Sequence, residues 1–359
     1  MKDRIQWIDL SKGMLITIMF WTHSAKHFTP LPTQDFYFQN SPAYLHYYTL
    51  GFVGITGISL YLLRDLLAKG QPLHKYCAQR GAKLIVVCLF IAFVFQGALF
   101  RNGNSFIQLY GSVEWALLDL LVLGRSYSHM GFVARIGLFV IVAGVLIRGD
   151  TKYTVAICSL VLIISSVFLN LYAVPWSMRN DSPELSFQYD TVRSLGYISV
   201  GAMGILLGVF LEHARNYPER LKQMSIILSA LLSTLAVGYT PELKDSSYGW
   251  LFHPADWFVR IVSVVSLAML MIQFRVPDRI TRWIALFGMY SLFLYVVHWN
   301  FGFLHQKIVQ HTYYGAIVID YFAQLVICFT TLILVSVVAV WLRRKGPTWD
   351  NFFKKEVGI

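Results

Sequence analysis

Long apolar runs recur along the chain, separated by short polar or basic linkers. Ten of them, at 9–29, 45–63, 84–100, 130–147, 153–174, 191–211, 223–239, 256–274, 283–304 and 316–342, are near the roughly 17–25 residues that an α-helix needs to cross a bilayer. The apolar positions are continuous, not alternating, which predicts helices and argues against an outer-membrane barrel. A further run, 113–124, is shorter and carries Glu114 and Asp119, so hydropathy alone leaves its spanning open. The longest polar linker, 175–190, is too short to fold by itself. The pattern predicts an all-α polytopic membrane protein of about ten helices in one bundle, with residues 1–359 as a single domain.

Charge placement orients the bundle. Lys2 and Arg4 precede the first run. Arg64, Lys69, Lys75, Arg80 and Lys83 fall in the linker 64–83. Further basic clusters occupy 212–222, 275–282 and the tail (Arg343, Arg344, Lys345), whereas 30–44 and 240–255 are nearly free of Lys and Arg. Cytoplasmic loops collect Lys and Arg. If 113–124 does not span, every basic cluster lands inside with both termini. The expectation is therefore ten spans, N-in and C-in, with 113–124 re-entrant or interfacial. The first run carries Lys12 and His23 and lacks a small-residue cleavage site, so it reads as a retained span and not a signal peptide.

Composition agrees. Of 359 residues, 56% are hydrophobic and 14% charged, with a mean hydropathy of +0.56. A soluble domain has about 45–50% apolar and about 25% charged residues. The net charge of +11, from 30 Lys and Arg against 19 Asp and Glu, is accounted for by topology, and no nucleic-acid partner is expected. The four cysteines form no CxxC pair and read as small packing residues.

Ionisable residues inside apolar runs are the candidates for chemistry, because each costs free energy near the bilayer centre unless it faces a cavity or partner. The first run holds Asp9, Lys12 and His23. Asp9 and Lys12 share a helix face. His23 lies eleven residues beyond Lys12, about 16 Å along a helix and back on a similar face. The plainer reading is that Lys12 snorkels to the interface and His23 caps a packing contact. His298 lies at a comparable depth in the run 283–304, which also carries Tyr290, Ser291 and Tyr295. Arg80 and Lys83, three apart, either orient the chain or bind phosphate. No Walker A, HExxH, GxSxG or GxGxxG pattern is present, and no aspartate-rich cluster calls for a metal.

Four of these segments resemble the acyltransferase-3 family of integral membrane O-acyltransferases. Its opening span has an Arg, an Asp and a basic residue followed by His, and Arg4, Asp9, Lys12 and His23 stand in those places. The stretch FVGITGISLYL (52–62) resembles its second span, with Thr56-Gly57 in place of Ser-Gly. Arg80-Gly-Ala-Lys83 resembles its paired arginines with Lys for the second, and GMYSLFLYVVH (288–298) resembles a late span ending in Tyr-x-x-His. The resemblance implies transfer of an acyl group, usually acetyl from acetyl-CoA, to a hydroxyl of a carbohydrate or glycolipid, as in polysaccharide O-acetylation at a bacterial inner membrane. It implies His23 as general base or acyl carrier, and His298 as a group that orients the acceptor or the tetrahedral intermediate. Lys12, Arg80 and Lys83 would meet the phosphates of the acyl-CoA, with Arg4, Asp9 and Tyr295 in supporting places and no metal. Another acyl donor such as succinyl-CoA, and the oligomeric state, stay open. A competing expectation is a transporter or flippase of a glycan or lipid-linked precursor, which also sets polar groups at mid-membrane.

Overall fold

Three of the described helices start at a proline or a capped proline, ahead of their apolar runs. A computed structural model describes residues 6–28, 48–67, 70–91, 131–172, 182–238, 254–295 and 321–348, and among these the regular structure is entirely helical. For some helical residues, His23 and Cys328 included, the backbone alone is described.

The helices are α1 (Gln6–Phe28), α2 (Tyr48–Leu62), α3 (Arg64–Leu67), α4 (Leu73–Ile91), α5 (Gly131–Leu146), α6 (Thr151–Tyr172), α7 (Pro183–Ala214), α8 (Glu219–Gly238), α9 (Pro254–Gln273), α10 (Asp278–Met289) and α11 (Tyr321–Lys345). Helical backbone also covers 291–295. Each of the ten apolar runs coincides at least in part with described helix.

Three helices begin well before their apolar runs. Ser182 sits in extended backbone at the start of α7, and its Oγ accepts a hydrogen bond from the Leu185 N–H at 3.2 Å. Pro183 takes the first helical position, where its missing N–H costs nothing. The α7 helix therefore starts inside the linker expected at 175–190. Pro72 does the same for α4, its carbonyl accepting from the N–H of Lys75 at 3.0 Å and of Tyr76 at 3.1 Å. Lys75, Arg80 and Lys83 thus lie on a helix and not in the expected linker. Pro277 starts α10 in the same way.

Among the described residues two helical stretches are long and apolar enough to cross a membrane, Thr151–Leu169 with 19 residues and Thr191–Ala214 with 24. Leu50–Leu62, Phe132–Leu146 and Trp257–Gln273 are apolar but shorter. On α6, Leu160, Ile163, Ile164, Val167 and Leu171 are exposed at helical spacing, a stripe suited to hydrocarbon.

The chain divides into two compact units. One comprises Met1–Phe52, Gln223–Thr240 and Val262–Ile359, the other Val53–Lys222 and Pro241–Ile261. In the first, α1 packs on α10 and α11. Glycines let the α1 and α10 backbones touch: Gly288 lies against the carbonyl of Asp9, and Gly13 against that of Ile284. In the second, α4 packs on α5, and α7 on α5 and α6. Cys77 and His74 face Gly144, while Gly81 faces Gly137 and Ile141, so α4 and α5 run antiparallel. Gly57 meets Gly201, and Gly204 meets Gly54, where α2 lies on α7. Such close approach through small residues is how helices associate in lipid, where burial from water gives little drive.

Candidate functional site

The first unit carries the α1 candidates. Asp9 is buried at 7% exposure, held on the face of α1 that meets α10, and Lys12 is half-buried. Two hydroxyls on the helix close back on its own backbone, Ser11 Oγ donating to the Trp7 carbonyl and Thr17 Oγ1 to the Gly13 carbonyl, both at 2.8 Å. Because α1 is continuous from Gln6 to Phe28, Lys12 and His23 stand on one helix, eleven positions apart. Tyr290 and Tyr295 are buried in the same unit, at 2% and 5% exposure. Arg4 and His298 lie outside the described residues, as do Glu114, Asp119 and the side chain of Asp256. Arg260 is buried in α9.

Arg80 and Lys83 belong to the second unit, one turn apart on α4, the first half-buried and the second exposed. Tyr76 is one turn before Arg80. Burial pushes its phenol above the ordinary value, and the Arg80 charge offsets this only in part. Burial pushes the neighbouring Cys77 thiol to about 11, so it is no nucleophile near neutral pH. Cys77, Cys88 and Cys158 are buried thiols that take part in no disulfide among the described residues. Among the described residues no group of three or more His, Cys, Asp or Glu is placed to hold a metal ion.

Two polar groups escaped the sequence reading. In one, Arg64 Nη2 donates to both carboxylate oxygens of Glu212 at 3.0 and 3.2 Å, and Nη1 donates to the Tyr61 carbonyl at 2.9 Å. The guanidinium stacks 4.3 Å from the centre of the Tyr61 ring, whose hydroxyl meets Thr151 Oγ1 at 3.3 Å. This ties together the ends of α2 and α7 and the start of α6. The other group is Arg135, Arg193 and Tyr197 on α5 and α7. Both arginines stand inside or at the edge of apolar runs, the same signal that singled out Lys12 and His23.

Among the described residues these features are those of a helical protein with ionisable side chains set into apolar helices, two stretches of which are long and apolar enough to cross a membrane. A family model described as an acyltransferase domain, that of the acyltransferase-3 family, matches residues 5–341, nearly the whole chain. The chain belongs to that family and is an acyltransferase. No curated protein matches it.

Proposed function

We propose that this protein is a ten-span membrane O-acyltransferase, one domain with both termini in the cytoplasm of a bacterial inner membrane. It moves an acetyl group from acetyl-CoA to a hydroxyl of a carbohydrate or glycolipid acceptor. The observation that carries the reading is the acyltransferase match over 5–341, a range that includes α1 with its Lys12 and His23. The antiparallel packing of α4 on α5 supports a segment 113–124 that does not cross.

Arg80 and Lys83 receive the phosphates of the acyl-CoA, with Lys12 a further cation. His23 acts on the acceptor hydroxyl. The neutral imidazole takes the proton while the hydroxyl oxygen attacks the thioester carbon. The C–O ester bond forms, the C–S bond breaks, and the imidazolium returns the proton to the leaving CoA thiolate. In the variant with an acyl carrier, the neutral His23 nitrogen attacks the thioester carbon, the C–S bond breaks and CoA leaves as thiolate; the acceptor hydroxyl oxygen then attacks the acetyl-imidazolium, the C–N bond breaks, and the hydroxyl proton passes to the thiolate. His298 hydrogen-bonds the tetrahedral oxyanion or orients the acceptor. Arg4, Asp9 and Tyr295 hold this arrangement in place.

The test is transfer of radiolabelled acetyl from acetyl-CoA to membrane glycans by reconstituted protein. His23→Ala is expected to lower the rate about 10²–10⁴-fold, the usual contribution of general acid–base catalysis, with unchanged thermal unfolding. Turnover retained in that variant refutes the role of His23. Label bound to protein in the absence of acceptor selects the carrier over the base.

A further inference from the structure

The face of α4 turned away from α5 carries a row of polar residues. Cys77, Gly81, Leu84 and Cys88 are buried, with Gly81 against Gly137 of α5. Lys75, Gln79 and Lys83, spaced i, i+4 and i+8, are exposed, as are Ala78 and Ala82 beside them. At 3.6 residues per turn these five fall in one sector of about 140°, opposite the buried four. Val86, 62% exposed, continues the sector into the apolar run that begins at residue 84. In the N-in arrangement α4 enters from the cytoplasm, so the sector passes inward from ammonium to amide to ammonium and then to apolar surface. Orientation of the chain asks only for basic residues at this end. Arg80 and Lys83 also interact elsewhere within the protein, whereas among the described residues Lys75 and Gln79 have no side-chain hydrogen bond or ion pair. Lys75 and Lys83 are about 12 Å apart along the helix axis, a spacing that suits two anionic groups better than one. A ligand with two separate phosphate groups at its outer end and an uncharged arm at its inner end matches this order. Acyl-CoA has that form; a phospholipid with a single headgroup phosphate fits it less well.

We propose that Lys75 and Gln79 complete the acyl-CoA site, Lys75 receiving the phosphate on the CoA ribose and Gln79 the edge of the adenine. The assignment rests on the acyltransferase reading, in which Arg80 and Lys83 meet the diphosphate. A lysine ammonium meets phosphate as a point charge. A glutamine amide donates to adenine N7 and accepts from the 6-amino group. Ala78 and Ala82, which end at Cβ, leave the Gln79 amide uncovered on one side. The uncharged arm then runs inward past Val86.

The first experiment needs no turnover. Full-length protein in zwitterionic detergent is titrated calorimetrically with CoA, with dephospho-CoA, which lacks the ribose phosphate, and with phosphopantetheine, which lacks the nucleotide. The parent protein is expected to bind CoA about tenfold tighter than dephospho-CoA, the size of one charge-assisted hydrogen bond. Lys75→Gln is expected to bind both alike, and Lys75→Arg to keep the preference. A preference unchanged in Lys75→Gln overturns the role of Lys75. Gln79→Ala is expected to weaken CoA and dephospho-CoA alike, by about fivefold, and to leave phosphopantetheine unchanged. Equal weakening of all three compounds, or of none, overturns the role of Gln79.

The second experiment follows acetyl transfer. Lys75→Gln is expected to raise KM for acetyl-CoA about tenfold at unchanged kcat, the mark of lost binding; a lowered kcat with KM unchanged overturns the assignment. Titration in phosphatidylcholine nanodiscs with and without phosphatidylglycerol separates the two sources of phosphate. A preference for CoA that vanishes when phosphatidylglycerol is added assigns Lys75 to lipid headgroups and overturns the site. If the parent protein binds none of the three compounds and transfers no acetyl, the acyl-CoA reading falls and this site with it. Binding of CoA by the parent with a preference indifferent to Lys75 leaves the donor in place and removes Lys75 alone.

Discussion

Replacing Gly288 by alanine tests whether the α1–α10 contact holds the site helix in place. A Cβ at Gly288 collides with the carbonyl oxygen of Asp9 and lies 2.8 Å from the backbone nitrogen of Gly13. At Gly13 it collides with the carbonyl oxygen of Ile284 and lies 2.7 Å from its carbon. Carbon contacts settle at about 3.5–4.0 Å, so the helices must part by roughly 1 Å. The obstacles are main-chain atoms and cannot swing aside. Overpacking costs about 1–3 kcal/mol, and alanine returns about 1 kcal/mol through its better helix propensity. The expected net loss for Gly288→Ala is therefore up to about 2 kcal/mol, since the backbone collision puts the cost at the upper end. A displacement of about 1 Å in a site element can cost 10²-fold in rate. The assay is thermal unfolding in detergent together with acetyl transfer below the unfolding range. Gly51→Ala meets only methyl carbons of Leu15, at 2.8 and 3.0 Å, which can rotate, and is expected to lose less. Gly149 and Gly346 open into space and serve as controls. If Gly288→Ala and Gly13→Ala unfold with Gly149→Ala and keep full transfer, the reasoning is wrong.

Other expectations follow from the second unit. Arg80→Ala should raise the apparent KM for acetyl-CoA more than that for the acceptor, and an unchanged acetyl-CoA dependence rejects the phosphate role. Arg64→Ala and Glu212→Gln should each cost about 1 kcal/mol, since the pair is only partly shielded from solvent, and a double-mutant cycle showing no coupling refutes the tie between α2 and α7. Burial raises the Cys77 thiol from 9.0 to about 11. Its thiolate is therefore scarcer in the folded protein, and the stabilisation present below pH 9 is lost as pH rises toward 11. Iodoacetamide at pH 8 should label Cys77 slowly in native protein and readily after unfolding in detergent; equal rates contradict its burial.

Helices were legible in the sequence because continuous apolar runs leave lipid-spanning helices as the economical answer. Their starts were less so. Pro72, Ser182 and Pro277 extend α4, α7 and α10 into stretches that composition marks as linkers, since a cap acts through one or two residues and leaves hydropathy unchanged. Candidate residues stood out where charge interrupts an apolar run, as at Asp9 and Lys12. Arg135 and Arg193 carry the same signal but stand near the ends of their runs, where topology already accounts for basic residues. The Arg64–Glu212 pair joins residues 148 positions apart, a separation that no local spacing rule spans. Glycine contacts were also missed. Gly201, Gly204 and Gly208 recur at helical spacing on α7 and meet α2, but glycine is frequent in membrane helices and the pattern names no partner.

On the proposed mechanism, the opening motif sets chemistry and packing on different faces of one helix. Gly13 follows Lys12 directly, and Asp9 precedes Gly13 by one turn. The α10 contact uses Gly13 and the Asp9 backbone, so the seam runs along the 9–13 line of α1. At 3.6 residues per turn, eleven residues bring the backbone register back to within about 20°. Lys12 and His23 therefore occupy equivalent register positions, about 100° round the helix from Gly13. The line proposed for chemistry is thus offset from the seam between α1 and α10. Crowding the seam should shift that whole line as a rigid unit, lowering the rate without removing any functional group. Substituting Lys12 or His23 should remove a group without moving the helix. Loss of rate accompanied by loss of stability on one line, and unaccompanied on the other, is what separates the two roles.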